Sequence, residues 1–208
     1  MVIEVFSDLV CPWCYIGKRR LDLALARVER PVEVRWRAFQ LDPDYPTDVR
    51  WTLPEAHLNR YGLSRAENDR RLAMVTAAAA EVGLRYDLNR AVMANTRDAH
   101  RLVHHGRAHG KDAQVAELLM RAYATEGRWI GDPTTLNEIA AEAGLPPMPP
   151  GAYEAEVEAD LARARRLGVR GVPSVVVNGA YPLVAPDVEQ LVRALGSDTP
   201  DPERRRVP

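Results

Sequence analysis

The chain is short of cysteine and lysine, and each shortage bears on what it can be. Only two cysteines occur in 208 residues, too few for a disulfide scaffold. A chain this long can bury a core without such staples. Lysine is confined to Lys18 and Lys111, and 28 basic residues face 29 acidic ones for a net charge of −1. No concentrated positive footprint exists, so nucleic acid is not the expected partner. No long apolar run is present either. The stretch Leu72 to Ala80 is broken by Thr76 and is too short to cross a bilayer, so no membrane partner is expected. The opening Met1-Val-Ile-Glu-Val-Phe lacks a basic, apolar and small-residue leader pattern, which predicts a cytoplasmic location. Apolar residues at 46% and charged residues at 27% are ordinary globular usage.

The two cysteines stand together as Cys11-Pro12-Trp13-Cys14. In a reducing compartment such a pair points to redox or metal chemistry rather than to a static crosslink. Residues 2–7 are short, apolar and β-branched and predict a buried strand. Pro12 suits a first helical turn, where its missing N–H costs nothing. Leu21, Leu25 and Val28 then fall at the spacing of one helix face. Residues 32–39 alternate with period two and predict a second strand. Pro43, Pro46 and Pro54 mark a loop leaving the sheet.

Helices are expected from there to about residue 167. Ser64 and Glu67 form a capping box before one ending near Gly83. Others are expected over 95–109, 112–126, Asp132 to Gly144 and 151–167. The β pattern returns at 174–178, Asn178-Gly179 predicts a two-residue hairpin into Ala180–Val184, and 186–195 closes with a helix. The order βαβ, helices, ββα is an α/β thioredoxin fold with an all-helical insertion. The expected division is 1–43 and 169–196 for the two parts of that fold, 44–168 for the insertion and 197–208 for a flexible tail. An exposed apolar face on the insertion would support a homodimer.

Thiol–disulfide exchange needs a thiolate that solvent reaches and a second thiol close enough to close a ring. A helix N-terminus stabilises the thiolate through free N–H groups and the positive dipole end. No lysine or histidine precedes Lys18 in this loop, so backbone and dipole must do that work. Two intervening residues place Cys14 one turn deeper on the same face, making Cys11 the exposed nucleophile and Cys14 the protected resolving thiol. A zinc site would need four ligands, and no second cysteine pair exists. Its complement would have to come from His100, His104, His105 and His109, and no metal site or other cofactor is expected. Pro173, in Gly171-Val172-Pro173-Ser174, falls in the turn before the third strand, where it takes no ladder position.

Taken together, Val2–Asp8 leading into Cys11-Pro12-Trp13-Cys14-Tyr15-Ile16-Gly17, then Trp36–Pro43, Asn95–Arg101 and Gly171–Pro173, resemble the DsbA-like branch of the thioredoxin superfamily, and within it the cytoplasmic FrnE-like subfamily. The resemblance covers roughly residues 2–195. It implies a disulfide oxidoreductase with Cys11 as nucleophile, Cys14 as resolving cysteine and Pro173 as a cis-proline facing them. Pro12, Trp13 and Val172 would contact the substrate, a protein thiol or disulfide, with glutathione as a further partner. In this family the cis-proline loop offers backbone groups to an extended chain. The sequence departs from the FrnE-like pattern at Leu183–Asp187, where a Ser-Gly-Ala-Gln stretch is common. Two other functions fit less well. The kappa transferase and hydroxychromene-carboxylate isomerase group shares the fold and uses glutathione, but it usually has serine in place of the cysteine pair. A metal-binding accessory module is the other.

Overall fold

The computed structural model describes residues 1–180 and 182–196; the expected tail over 197–208 lies outside them. Strand β1 (Val2–Ser7) leads to helix α1 (Pro12–Leu25) and strand β2 (Glu33–Ala38). Helices α2 (Leu53–Asn59), α3 (Arg65–Glu81), α4 (Arg97–Ala108), α5 (Asp112–Arg121), α6 (Pro133–Glu142) and α7 (Glu154–Arg166) follow before the chain returns to the sheet. Strands β3 (Ser174–Val177) and β4 (Pro182–Val184) and helix α8 (Val188–Gly196) complete it. The sheet order is β2-β1-β3-β4. β1 runs parallel to β2 and antiparallel to β3, and β4 pairs antiparallel with β3. This is the thioredoxin arrangement, with the helical block between its two parts.

Local chemistry accounts for most of these elements. β1 is central, and Ile3 through Ser7 are all buried, as a strand covered on both faces requires. Pro182 sits on the edge strand β4, where a missing N–H is tolerated. The Ser64–Glu67 capping box forms at the start of α3. A second box, Thr52 with Glu55, starts α2. The sequence reading placed a loop through Pro54, yet that proline lies in the first helical turn, the one place a helix accepts it. The expected helix over 112–126 is α up to Arg121 and then widens to a π turn over Ala122–Glu126, capped by left-handed Gly127. Asn178 and Gly179 both have positive φ, as a tight hairpin needs. β3 nevertheless ends at Val177 and β4 begins at Pro182, with Val176 opposite Pro182, so the connection between the strands is longer than the two-residue form.

Charge ties the sheet to the helices behind it. Asp160 of α7 is 1% exposed. It accepts from Arg37 Nη1 at 2.8 Å, from the Ala38 amide at 3.0 Å and from His104 Nε2 at 2.9 Å. Glu4 of β1 accepts from Arg37 Nε at 2.8 Å and from Arg163 Nε at 2.7 Å. Two strands and two helices thus share one ion network.

Candidate active site

The connection from β1 to α1 delivers Cys11 to the helix N-cap in an extended conformation, φ −94° and ψ 112°, with Pro12 in the first turn. Its amide donates to the Asp8 carbonyl at 3.1 Å, and its own carbonyl accepts from the Cys14 amide at 2.9 Å. Both thiols are free. Burial is greater than the sequence suggested. Cys11 is 7% exposed and Cys14 1%, so Cys11 is not an open surface thiol. It reaches solvent through a cavity of about 750 Å³ whose wall also includes Asp8, Pro12, Trp13, His57 and Arg71. Burial pushes the Cys14 thiol well above the ordinary range, and its hydrogen bond to Cys11 and the charge there push the same way. Cys14 is therefore held protonated while its sulfur accepts from the Asp8 amide at 3.4 Å.

The Val172–Pro173 bond is cis, and Pro173 is buried. Gly17 of α1 marks its place. A Cβ on Gly17 would stand 2.7 Å from Pro173 Cγ, so the helix carrying both cysteines packs directly on the proline ring. The Pro173 carbonyl accepts from the Ala185 amide at 2.7 Å. Within Leu183–Asp187, where the sequence departs from the FrnE-like pattern, one backbone group therefore holds the proline loop. Pro12 and Trp13 share the cavity wall with Cys11, whereas Cys14, Val172 and Pro173 lie outside it.

Several site residues were not singled out by the sequence. Tyr86 donates from its hydroxyl to the Pro12 carbonyl at 2.7 Å and stacks on Tyr15. Replacing Tyr86 by phenylalanine leaves a part-buried carbonyl without that donor and should cost about 0.5–1.5 kcal/mol in a urea unfolding curve; an unchanged midpoint would contradict that role. Met93, Ala94 and Thr96 close one side of the cavity. Asn95 pins that segment, donating to the Pro43 and Tyr45 carbonyls, both at 3.0 Å. Met74 and Tyr61, exposed at 58% and 41%, give the cavity an apolar margin. For Asp8 a signal existed, an acidic residue between an apolar strand and the cysteine pair. The others are contributed by distant segments.

The three histidines of α4 and His109 at its C-cap do not gather as ligands. His100 Nε2 lies 3.0 Å from the Phe39 carbonyl, His104 binds Asp160, His105 Nε2 lies 2.9 Å from the Pro146 carbonyl, and His109 Nδ1 lies 2.9 Å from the His105 carbonyl. Among the described residues no group of three or more potential ligands is placed to hold a metal ion. The fold does bring His100 near the cysteine loop, with Nε2 3.8 Å from Asp8 Oδ1. Among the described residues no helix is long and apolar enough to cross a membrane.

A thioredoxin sheet with two free thiols at the start of its first helix defines the broad class, and residues 2–196 match the DSBA-like thioredoxin domain, so the chain belongs to that family. The FrnE-like pattern fits within it. Among solved structures, one described as a probable DsbA oxidoreductase from Streptomyces coelicolor is 33% identical, covers 96% of this chain and 92% of its own, and superposes with a TM-score of 0.89. The uncharacterized protein YwbO of Bacillus subtilis (strain 168) is 26% identical over 69% of this chain and 66% of its own length. The cytosolic disulfide reductase DsbM from Pseudomonas aeruginosa, in a structure with GSH, shares the fold at 23% identity and a TM-score of 0.56, over 86% of each chain.

Proposed function

We propose that the protein is a thiol–disulfide oxidoreductase that works through Cys11 and Cys14. The observation that carries this reading is the graded burial of two free thiols at one helix N-terminus, Cys11 on the cavity wall and Cys14 beneath it and held protonated. The Cys11 thiolate attacks one sulfur of a substrate disulfide, and the other substrate sulfur leaves as a thiolate. Cys14 then attacks Cys11 Sγ, releasing the second substrate thiol and leaving a Cys11–Cys14 disulfide. Running the same steps backwards oxidises a dithiol. Pro173 flanks the pair, and Pro12, Trp13 and Val172 are the nearest candidates for substrate contact. The substrates are protein thiols or disulfides in the cytoplasm. Glutathione, the small thiol in the DsbM structure, is a second partner.

The test uses the reduced protein at neutral pH. Limiting iodoacetamide should modify Cys11 well before Cys14, and reduction of insulin disulfides should require both cysteines. Preferential modification of Cys14, or undiminished insulin reduction by Cys11→Ser, would reverse the assignment. The cavity also favours a glutathione-linked isomerase or transferase as a second reading, since Cys11 opens into a space of small-molecule size. That activity would survive Cys14→Ser, whereas dithiol exchange would not.

A further inference from the structure

We propose that His57 is the base that ionises a small thiol in the cavity for attack on the Cys11–Cys14 disulfide, an inference that rests on the reading of the pair given above. His57 lies on α2 and belongs to the same cavity wall as Cys11. A thiol held in that space meets both residues. The ring is fixed from behind. Its Nδ1 lies 2.8 Å from Asn68 Oδ1, and Asn68 Nδ2 donates to Asp69 Oδ1 at 3.0 Å. An ionised carboxylate only accepts, so Asp69 dictates which end of the Asn68 amide turns to the histidine. That end is the oxygen, which also only accepts. In the neutral ring Nδ1 therefore carries the hydrogen, and Nε2 keeps its lone pair. The Tyr61 ring adds an edge contact, with centroids 6.3 Å apart. Nε2 itself has no hydrogen-bond partner among the described residues.

Asn68 is costly where it stands. It is 5% exposed on the face of α3 that otherwise buries Leu72, Val75 and Ala79. An amide on an apolar stripe must find partners to offset its desolvation, and this one spends its oxygen on His57. The charged and titratable groups around the ring are engaged elsewhere. Asp69 binds Asn68, Arg60 pairs with Asp42 at 2.5 Å, and the Tyr61 hydroxyl donates to Asp42 at 2.9 Å. Arg71, on α3 one turn beyond Asn68, acts on the Glu67 carboxyl. Asp8 and Cys11 complete the titratable groups of the wall. A purely structural pairing would explain Asn68 and Nδ1 and leave the open Nε2 unexplained. A base held in one tautomer on the wall of a small-molecule cavity explains both.

In the oxidised protein Cys11 and Cys14 share a bond. His57 Nε2 takes the proton of the entering thiol, and the freed electron pair on that sulfur forms a bond to Cys11 Sγ. The Cys11–Cys14 bond breaks, Cys14 leaves with its electron pair and takes a proton from solvent, and His57 returns its own proton to solvent. A second thiol, ionised in the same way, attacks the first thiol's sulfur in the mixed disulfide. Cys11 departs as a thiolate, and the two small thiols leave as one disulfide. They lose two electrons, and the cysteine pair gains two.

The experiment reduces the oxidised protein with excess mercaptoethanol and follows the mixed disulfide and the reduced pair by intact mass in acid-quenched samples. Ordinary imidazoles and thiols titrate on either side of a window of about pH 7–8.5. Within it the rate for the unsubstituted protein should be level, because His57 ionises the bound thiol. His57→Gln keeps a donor for Asn68 Oδ1 and should be slower by roughly a hundredfold near pH 7. Its rate should climb about tenfold per pH unit, as attack then depends on thiolate formed in solution, and the deficit should close once the pH passes the thiol's own range. Added imidazole should restore part of the rate near pH 7. An undiminished rate in the variant, or a deficit that persists at high pH, would overturn the inference. If His57→Gln does not fold, the unsubstituted protein decides, since a tenfold rise per pH unit across the window would show that no internal base acts. Failure of the oxidised protein to form a mixed disulfide on Cys11 at any pH would instead overturn the reading of the pair, and this inference with it.

Discussion

Replacing Asp160 by alanine is expected to destabilise the protein by about 3–5 kcal/mol, the cost of breaking a buried ion pair by removing one partner. The side chain is 1% exposed and satisfies Arg37, the Ala38 amide and His104 together. Its loss leaves the Ala38 amide and the His104 ring N–H without those partners beneath the sheet, and Arg37 keeps only Glu4. Urea unfolding followed by circular dichroism would measure the effect, and a change below about 1 kcal/mol would show that solvent replaces the lost partners. The same residue gives a pH dependence. Burial alone would raise the Asp160 carboxyl, but the hydrogen bonds from His104 and Ala38 and the charges of His104 and Arg37 outweigh it and hold the group below the ordinary carboxylate range. Glu4 is lowered in the same way, by Arg163 and Arg37 against its own burial. A depressed folded-state value contributes stability that is complete above the unfolded-state carboxylate range, about pH 4, and is lost as pH falls through the folded-state values. The unfolding midpoint should therefore drop below roughly pH 4, and less steeply in Asp160→Ala.

Gly17→Ala is the second large effect, and it reports on the site itself. The new Cβ would lie 2.7 Å from Pro173 Cγ and 3.0 Å from Pro173 Cβ, so either α1 or the proline loop must move. Overpacking of this kind costs about 1–3 kcal/mol, and the movement separates elements that hold the cysteines and the proline in register. Gly106→Ala is the control. Its Cβ would meet Val115 Cγ2 at the same 2.7 Å, on α4 against α5. Both variants should lose stability, but only Gly17→Ala should also slow thiol exchange. Equal exchange rates in the two would mean that the contact between α1 and Pro173 does not set the geometry of the cysteines.

The parts of the fold legible in the sequence are those fixed by short-range chemistry. Alternation in β2, the buried run of β1 and the capping box of α3 each depend on a few neighbouring residues, and each is present where expected. The cysteine pair was legible for the same reason, since strand, thiol and helix start are contiguous. The cavity was not, because its wall is assembled from the β1–α1 connection, the loop after β2, α2, α3 and the segment before α4. Periodicity in one segment carries no information about which other segment covers it. The burial of Cys11 was missed on the same account, as a helix N-terminus reads as exposed until something roofs it. The Asn178-Gly179 hairpin failed more narrowly. Both residues adopt the turn conformation, while the strand register that sets loop length depends on the pairing of β3 with its neighbours.

The pairing of β1 with β3 has a consequence for synthesis. Ile3 lies opposite Val177, so the central seam of the sheet joins segments far apart in the chain. Closing so long a loop is entropically costly and slow, and non-local pairings of this kind retard folding. On the ribosome, β1, α1 and β2 are made first with one edge of β1 unpaired, and they stay so until β3 has followed them. During that interval Cys11 and Cys14 lack the proline loop against which their helix packs. The nascent chain therefore carries an uncovered dithiol beside an open strand edge, and its own translation rate sets how long that state lasts.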